Sequence, residues 1–215
     1  VVVGALINGT IVGLQYQVAA SANTIAYLNN GSWTTLVYSG NTPFTGNETN
    51  DIFGASVYLP RIDENILIMV NDVDTAQVWG GPDRTDASQN TILTSLIQGP
   101  VARDVAVINN RPVFWNVGDT STTTRFKTRA QWTVRGDPED ETTIGSGSVD
   151  LVDMRGEGTR IFTLDDQLVV GSTKEIWTGR VVGDPFIFDF QPLVRTQGMP
   201  FKRAAAIDLA GRDVL

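Results

Sequence analysis

Neither cysteine nor histidine occurs anywhere in the chain. Without cysteine there are no disulfides, no thiolate metal sites and no thiol nucleophiles. Without histidine, the commonest general base, the usual triad member and the commonest metal ligand are missing as well. Catalysis by paired carboxylates stays chemically open. Long apolar runs are also lacking, since none reaches the roughly 18–20 residues a membrane helix needs. The apolar start, Val1 to Leu6, has no basic leader and does not read as a signal peptide. There is no initiating Met, and Asp213-Val214-Leu215 falls inside a strand-like run, so a piece of a longer protein is expected. Basic clusters are sparse, none denser than Arg125-Lys127-Arg129 and Lys202-Arg203, so tight nucleic-acid binding is not expected.

What remains is a foldable composition. Hydrophobic residues make up 41% of 215 and charged residues 19%, enough for one sizeable core and too apolar for a disordered chain. The net charge of -8 gives a surface that repels DNA rather than one that holds it.

Helical periodicity is scarce. The best stretch, Asn90 to Gln98, is short and rich in β-branched residues. Two-residue alternation is common instead, as in Val57 and Leu59, Val105 and Val107, or Phe186, Phe188 and Phe190. The chain therefore reads as all-β.

One unit recurs five times: an apolar strand, a short polar turn and a second apolar strand. The turns are Ser21-Ala22-Asn23, Asp63-Glu64-Asn65, Asn109-Asn110-Arg111, Asp165-Asp166-Gln167 and Ala210-Gly211-Arg212. They follow one another at intervals of roughly 42 to 56 residues, the length of four short strands and their loops. A third strand in each complete unit carries a tryptophan, Trp33, Trp79, Trp132 or Trp177. A fourth is expected at Thr91–Gln98, Ser148–Asp153 and Phe186–Leu193. The pattern predicts a β-propeller-like repeat of four-stranded antiparallel blades, in units of approximately 10–52, 53–99, 100–155, 156–198 and an incomplete 199–215. A β-sandwich is the alternative. In the propeller, the four tryptophans fill the wedges between blades.

The motifs that carry chemistry elsewhere read as turns. Asp137-Pro138-Glu139-Asp140-Glu141 is a Ca²⁺ or glycosidase carboxylate cluster in one reading and, by its Gly136-Asp137-Pro138 opening, a solvated turn in the other. Asn71-Asp72-Val73-Asp74 has alternate oxygen ligands but lacks the glycine and glutamate of an EF-hand. Gly145-Ser146-Gly147-Ser148 and Gly156-Glu157-Gly158 have no helix or lysine after them to cradle phosphate. Asn8-Gly9-Thr10, Asn30-Gly31-Ser32 and Asn47-Glu48-Thr49 match the N-glycosylation pattern, though Asn-Gly serves tight turns equally well. No nucleophile, base and oxyanion site assemble, so no catalytic, cofactor-binding or metal-binding residue is assigned.

Several segments, in order, resemble the large β-rich tail hub, tail nozzle and head-to-tail connector proteins of short-tailed and related bacteriophages. Asn29-Asn30-Gly31-Ser32-Trp33-Thr34 resembles their Gly-Ser-Trp strand, and Asn71-Asp72-Val73-Asp74 with Gln77-Val78-Trp79 resembles N-G-V-D-x-x-x-x-W. Ala102-Arg103-Asp104-Val105-Ala106-Val107, then Arg129-Ala130-Gln131-Trp132 through Gly136-Asp137-Pro138-Glu139-Asp140, is similar to A-R-x-V-A-V … R-V-R-W-S-x-x-G-D-P-x-x-W, with Glu141 where a second Trp is usual. Ile176-Trp177-Thr178-Gly179-Arg180, Gly183-Asp184-Pro185-Phe186-Ile187-Phe188 and Gly198-Met199 follow the last stretch, with Met199 in place of the family's cysteine. The resemblance implies a structural virion protein, not an enzyme, made in the host cytoplasm and assembled as a homo-oligomeric ring, commonly a hexamer. It implies other tail, portal or adaptor proteins as partners, with genomic DNA passing unbound. The structural residues expected to matter are Trp33, Trp79, Trp132 and Trp177, with Gly136 and Pro138 at a turn. The competing expectation is a carbohydrate-binding or glycoside-hydrolysing propeller using Asp137, Glu139 and Asp165.

Overall fold

The structure, a computed structural model, describes residues 2–3, 6–7, 10–11, 16–21, 24–29, 31–38, 44–60, 64–80, 92–95, 99–119, 124–184, 186–201, 206–207 and 213–214. Among these there is no helix, and so none long and apolar enough to cross a membrane. The first strands are β1 (Val2–Val3), β2 (Leu6–Ile7), β3 (Thr10–Ile11), β4 (Tyr16–Ala20), β5 (Ile25–Asn29), β6 (Ser32–Thr35) and β7 (Val37–Tyr38). Next come β8 (Phe53–Leu59), β9 (Glu64–Val70), β10 (Gln77–Trp79) and β11 (Ile92–Ser95). The third group is β12 (Val101–Ile108), β13 (Arg111–Gly118), β14 (Arg125–Trp132) and β15 (Gly147–Asp150). The fourth is β16 (Gly158–Leu164), β17 (Gln167–Ser172), β18 (Ile176–Val181) and β19 (Phe188–Val194), followed by β20 (Ala206–Ile207) and β21 (Asp213–Val214).

Four main sheets result, in the orders β1-β4-β5-β6, β7-β11-β10-β9-β8, β12-β13-β14-β15 and β16-β17-β18-β19, called I to IV below. Pairing is antiparallel except where β7 adds to β11 in parallel. All five expected hairpins form as antiparallel pairs: β4–β5, β8–β9, β12–β13, β16–β17 and β20–β21. The turn residues Ala22, Asn23, Asp63 and Ala210-Gly211-Arg212 lie outside the described residues, as do Asn8, Gly9, Asn30 and most of Thr120–Thr124. The expected fourth strands appear as β11, β15 and β19.

Turn chemistry explains the two tightest hairpins. Asn109 and Asn110 both take positive φ, 49° and 59°, which a two-residue hairpin of the right twist requires and asparagine tolerates. Asp165, at φ 51°, does the same between Leu164 and Gln167.

The sheets pack face to face in chain order. One core joins Ile25, Tyr27 and Leu36 of the first unit to Leu67, Met69 and Trp79 of sheet II. A second joins Val57, Ile66, Ile68 and Val70 of sheet II to Ala102, Val105, Phe114 and Val117 of sheet III. The third and largest joins Ala106, Val113, Trp115 and Trp132 of sheet III to Ile161, Leu168, Val170, Trp177 and Phe188 of sheet IV. The second strands β9, β13 and β17 thus alternate between two cores, which is why β9 and β13 read as continuous apolar runs rather than alternating ones. Sheets II, III and IV approach one another most closely along their first strands, β8, β12 and β16.

Candidate functional site: the inter-sheet faces and their polar clamps

Register decides which core each tryptophan enters. Trp79 lies opposite Leu67 and Trp177 opposite Val170, so both rings point towards the preceding sheet. Trp132 lies opposite Val113, one step nearer its hairpin turn, and that single-residue offset sends it towards the following sheet. Trp132 meets Phe188 edge to face at 5.0 Å, and Trp79 meets Tyr27 at the same separation, tilted by 38°. Trp33 departs from the expected wedge role. Its register, opposite Leu28, matches that of Trp79 and Trp177, yet it is 55% exposed because no described sheet stands before sheet I. The remaining tryptophan, Trp115 on β13, was not among the expected residues and is fully buried, its indole N–H donating to the Gly171 carbonyl at 3.2 Å.

Gly136 and Pro138 sit in a buried turn against the neighbouring sheet. Gly136 has φ 73°, and a Cβ there would stand 2.9 Å from Pro60 Cδ, so only glycine fits. Its N–H donates to the Asn110 carbonyl at 2.7 Å. The Asn110 side chain in turn imitates a strand partner for Tyr58: its Oδ1 accepts from the Tyr58 N–H at 2.8 Å, and its Nδ2 donates to the Tyr58 carbonyl at 2.7 Å. Sheets II and III are thereby joined at their hairpin ends.

Asp104 joins sheets III and IV along their first strands. It is buried, and its Oδ2 accepts the Ile161 N–H at 2.8 Å and lies 3.1 Å from Arg160 Nη1. The Arg160 guanidinium stacks 4.2 Å from the Phe53 ring centroid of sheet II. These groups line a cleft of about 300 Å³ walled by β8, β12 and β16.

A third clamp binds three sheets. Asp72, at φ 74° after β9, accepts from Arg103 Nε at 2.9 Å and from Arg125 Nη2. Arg103 also donates to the Gly158 carbonyl at 2.9 Å and pairs with Glu157 at 2.6 Å. Asn116, fully buried with φ 54° where β13 slips against β14, accepts from Arg125 Nε and donates to the Gly158 carbonyl, both at 2.7 Å. Burial lowers the Arg125 pKa, with Asp72 opposing. Burial works to raise that of Glu157, and Arg103 together with Lys127 outweighs it, leaving the carboxyl below its ordinary value.

Glu175 anchors the turn between β17 and β18 of sheet IV. Its fully buried carboxylate accepts from Trp177 Nε1 at 2.9 Å and Arg155 Nε at 2.5 Å. Those bonds hold its pKa down at about 2.

The acidic stretch is a turn, as its opening residues predict. Asp137 Oδ1 accepts from the Glu139 N–H, and Asp140 Oδ1 accepts from the N–H groups of Thr142 and Thr143. Asp165 occupies a hairpin corner instead, so the carboxylates of the carbohydrate reading do not share one turn. In Asn71–Asp74 both carboxylates are taken by donors, Asp72 by arginines and Asp74 by Thr45 and Asn71. Asn47 Oδ1 likewise accepts from Thr49 within its own turn. Among the described residues no group of three metal-ligating side chains assembles.

No protein-family model matches the chain, and no curated protein matches it in sequence.

Proposed function

We propose that the chain is a run of consecutive blades of a β-propeller-like domain and serves as a structural part of a bacteriophage tail hub, nozzle or connector, without a catalytic site. One observation carries the reading: three successive face-to-face cores follow chain order, and among sheets II, III and IV the closest approaches concentrate on the first strands. Sheets that meet at one edge and part at the other are arranged radially, as blades are. A two-sheet sandwich would instead bury one face of each sheet, and here sheets II and III bury both.

The site chemistry supports a structural role. The polar side chains of the clamps, Asp72, Arg103, Asp104 and Asn110, are engaged with one another or with backbone groups. The net charge of -8 suits a ring whose lumen lets DNA slide without sticking. The motif resemblance supplies the phage assignment, with a homo-oligomeric ring of sixfold order, portal or adaptor neighbours as its partners, and the virion as its location. Negative-stain averages of the intact purified protein, with mass spectrometry of purified virions, test this. Rings and a virion peptide match are expected; a strict monomer absent from virions overturns it.

A further inference from the structure

Four arginines of the sheets pair with carboxylates: Arg103 and Arg125 with Asp72, Arg129 with Asp150, and Arg160 with Asp104. One end of sheet IV is different. Where β17 turns into β18, and where the chain leaves β19, Arg155, Lys174 and Arg195 line an open groove of about 540 Å³, together with Thr173, Thr196 and Gly198. All three cations are exposed. Among the described residues Lys174 and Arg195 meet no carboxylate, and Arg155 meets only Glu175.

The two guanidinium groups are held in place. Glu175, fully buried, accepts from Arg155 Nε at 2.5 Å and from Trp177 Nε1 at 2.9 Å. Arg155 Nη2 reaches on to the Arg195 carbonyl. The Arg195 guanidinium stands 5.6 Å from the Trp177 ring centroid, within cation–π range. The loop that carries Arg195 is pinned in turn. Its Met199 N–H donates to the Ser172 carbonyl at 2.7 Å, and a Cβ on Gly198 would run into the backbone of Ser172 and Lys174. One buried carboxylate thus orients Arg155 directly and Arg195 through an indole. Cations fixed before a ligand arrives cost less ordering when it binds.

We infer that this groove binds a short acidic segment of a partner protein, whose side-chain carboxylates seat on Arg155, Lys174 and Arg195. The groove sets three cations against one carboxylate, on a chain whose net charge is -8. At physiological salt, charges beyond about 8 Å are largely screened, so a short segment feels these cations rather than the acidic remainder. A nucleic-acid strand needs several phosphate contacts in series. The adjoining hollow, which shares Thr173 and Pro200 with the groove, carries Asp51 and Glu157 and offers no such track. Every group in the groove belongs to sheet IV or its flanking segments, so the site does not depend on how the sheets are arranged.

Titration of the intact protein with tetraglutamate capped at both ends tests this, with tetralysine and an oligothymidylate of matching charge as the other arms. In about 25 mM salt, where screening is weak, tetraglutamate is expected to bind and tetralysine not to. Lys174→Gln and Arg195→Gln are each expected to weaken binding about two- to fivefold, and the pair about tenfold, as for exposed charge contacts. Both side chains are exposed and neither makes a hydrogen bond, so the variants keep the fold. Arg180→Gln, exposed towards the far end of β18, is expected to leave binding unchanged. Absence of tetraglutamate binding, or binding that the double substitution leaves intact, overturns the inference. So does oligothymidylate binding that is as tight and weakened by the same substitutions, because the groove would then be a phosphate site.

Discussion

Trp177 in sheet IV and Trp33 in sheet I hold the same place in the repeat, on the third strand at the same distance from the hairpin turn. The first is buried against Val170 and the core of sheet III, its indole N–H held by a buried carboxylate. The second stands 55% exposed on an uncharged face. The difference lies in the neighbour, not in the residue. A tryptophan at this position of a stacked-sheet repeat is buried only when the preceding sheet covers it, so burial here is a property of the succession rather than of the unit.

The comparison breaks most visibly in the interior. Trp132→Ala and Trp115→Ala each remove a buried indole from the core between sheets III and IV, and each is expected to cost about 3–5 kcal/mol in denaturant unfolding. A loss below about 1 kcal/mol at Trp132 would show that the ring fills no wedge. Asp104→Ala leaves the buried Ile161 N–H without its acceptor and Arg160 without its carboxylate, for an expected loss of about 1–3 kcal/mol by the same measurement.

Glu175 sharpens the contrast through pH. Its folded pKa, about 2, lies below the ordinary 4.5, so its stabilisation is complete above the ordinary value and is lost as pH falls towards 2. Wild-type stability is expected to fall across that window, and Glu175→Gln to show a shallower fall. An unchanged slope in the variant would mean that the bonds from Trp177 and Arg155 do not favour the charged form. The smallest effect is expected at Trp33→Ala, about 0.5 kcal/mol or less in this chain, as for an exposed substitution.

Much of this fold is legible in the sequence because the informative features are local. Asn109-Asn110 and Asp165-Asp166 announce tight hairpins by residue type, and the apolar runs on either side announce the strands. The acidic stretch after Arg135 is legible as a turn for the same reason. The face each tryptophan occupies is not local. Trp132 and Trp177 look equivalent along the chain, and only the cross-strand register separates them by one residue. Trp115 is hidden inside the apolar run of β13, where nothing distinguishes an indole from its neighbours as a wedge.

The clamps are hidden more deeply. Asp104 meets a backbone N–H 57 residues away, and Asn110 meets Tyr58 across 52. A trace exists for Asp104 and for Asn116: the first interrupts an apolar strand and the second a continuous apolar run. A polar residue in such a place needs a partner, and the sequence does not say which.

A side-chain-resolution map of the intact protein tests the central claim most directly. The account predicts sheets II, III and IV in consecutive order about one axis, with β8, β12 and β16 innermost and β7, β15 and β19 outermost. A map in which two sheets close on each other as a sandwich, leaving either face of sheet III open to solvent, would contradict it.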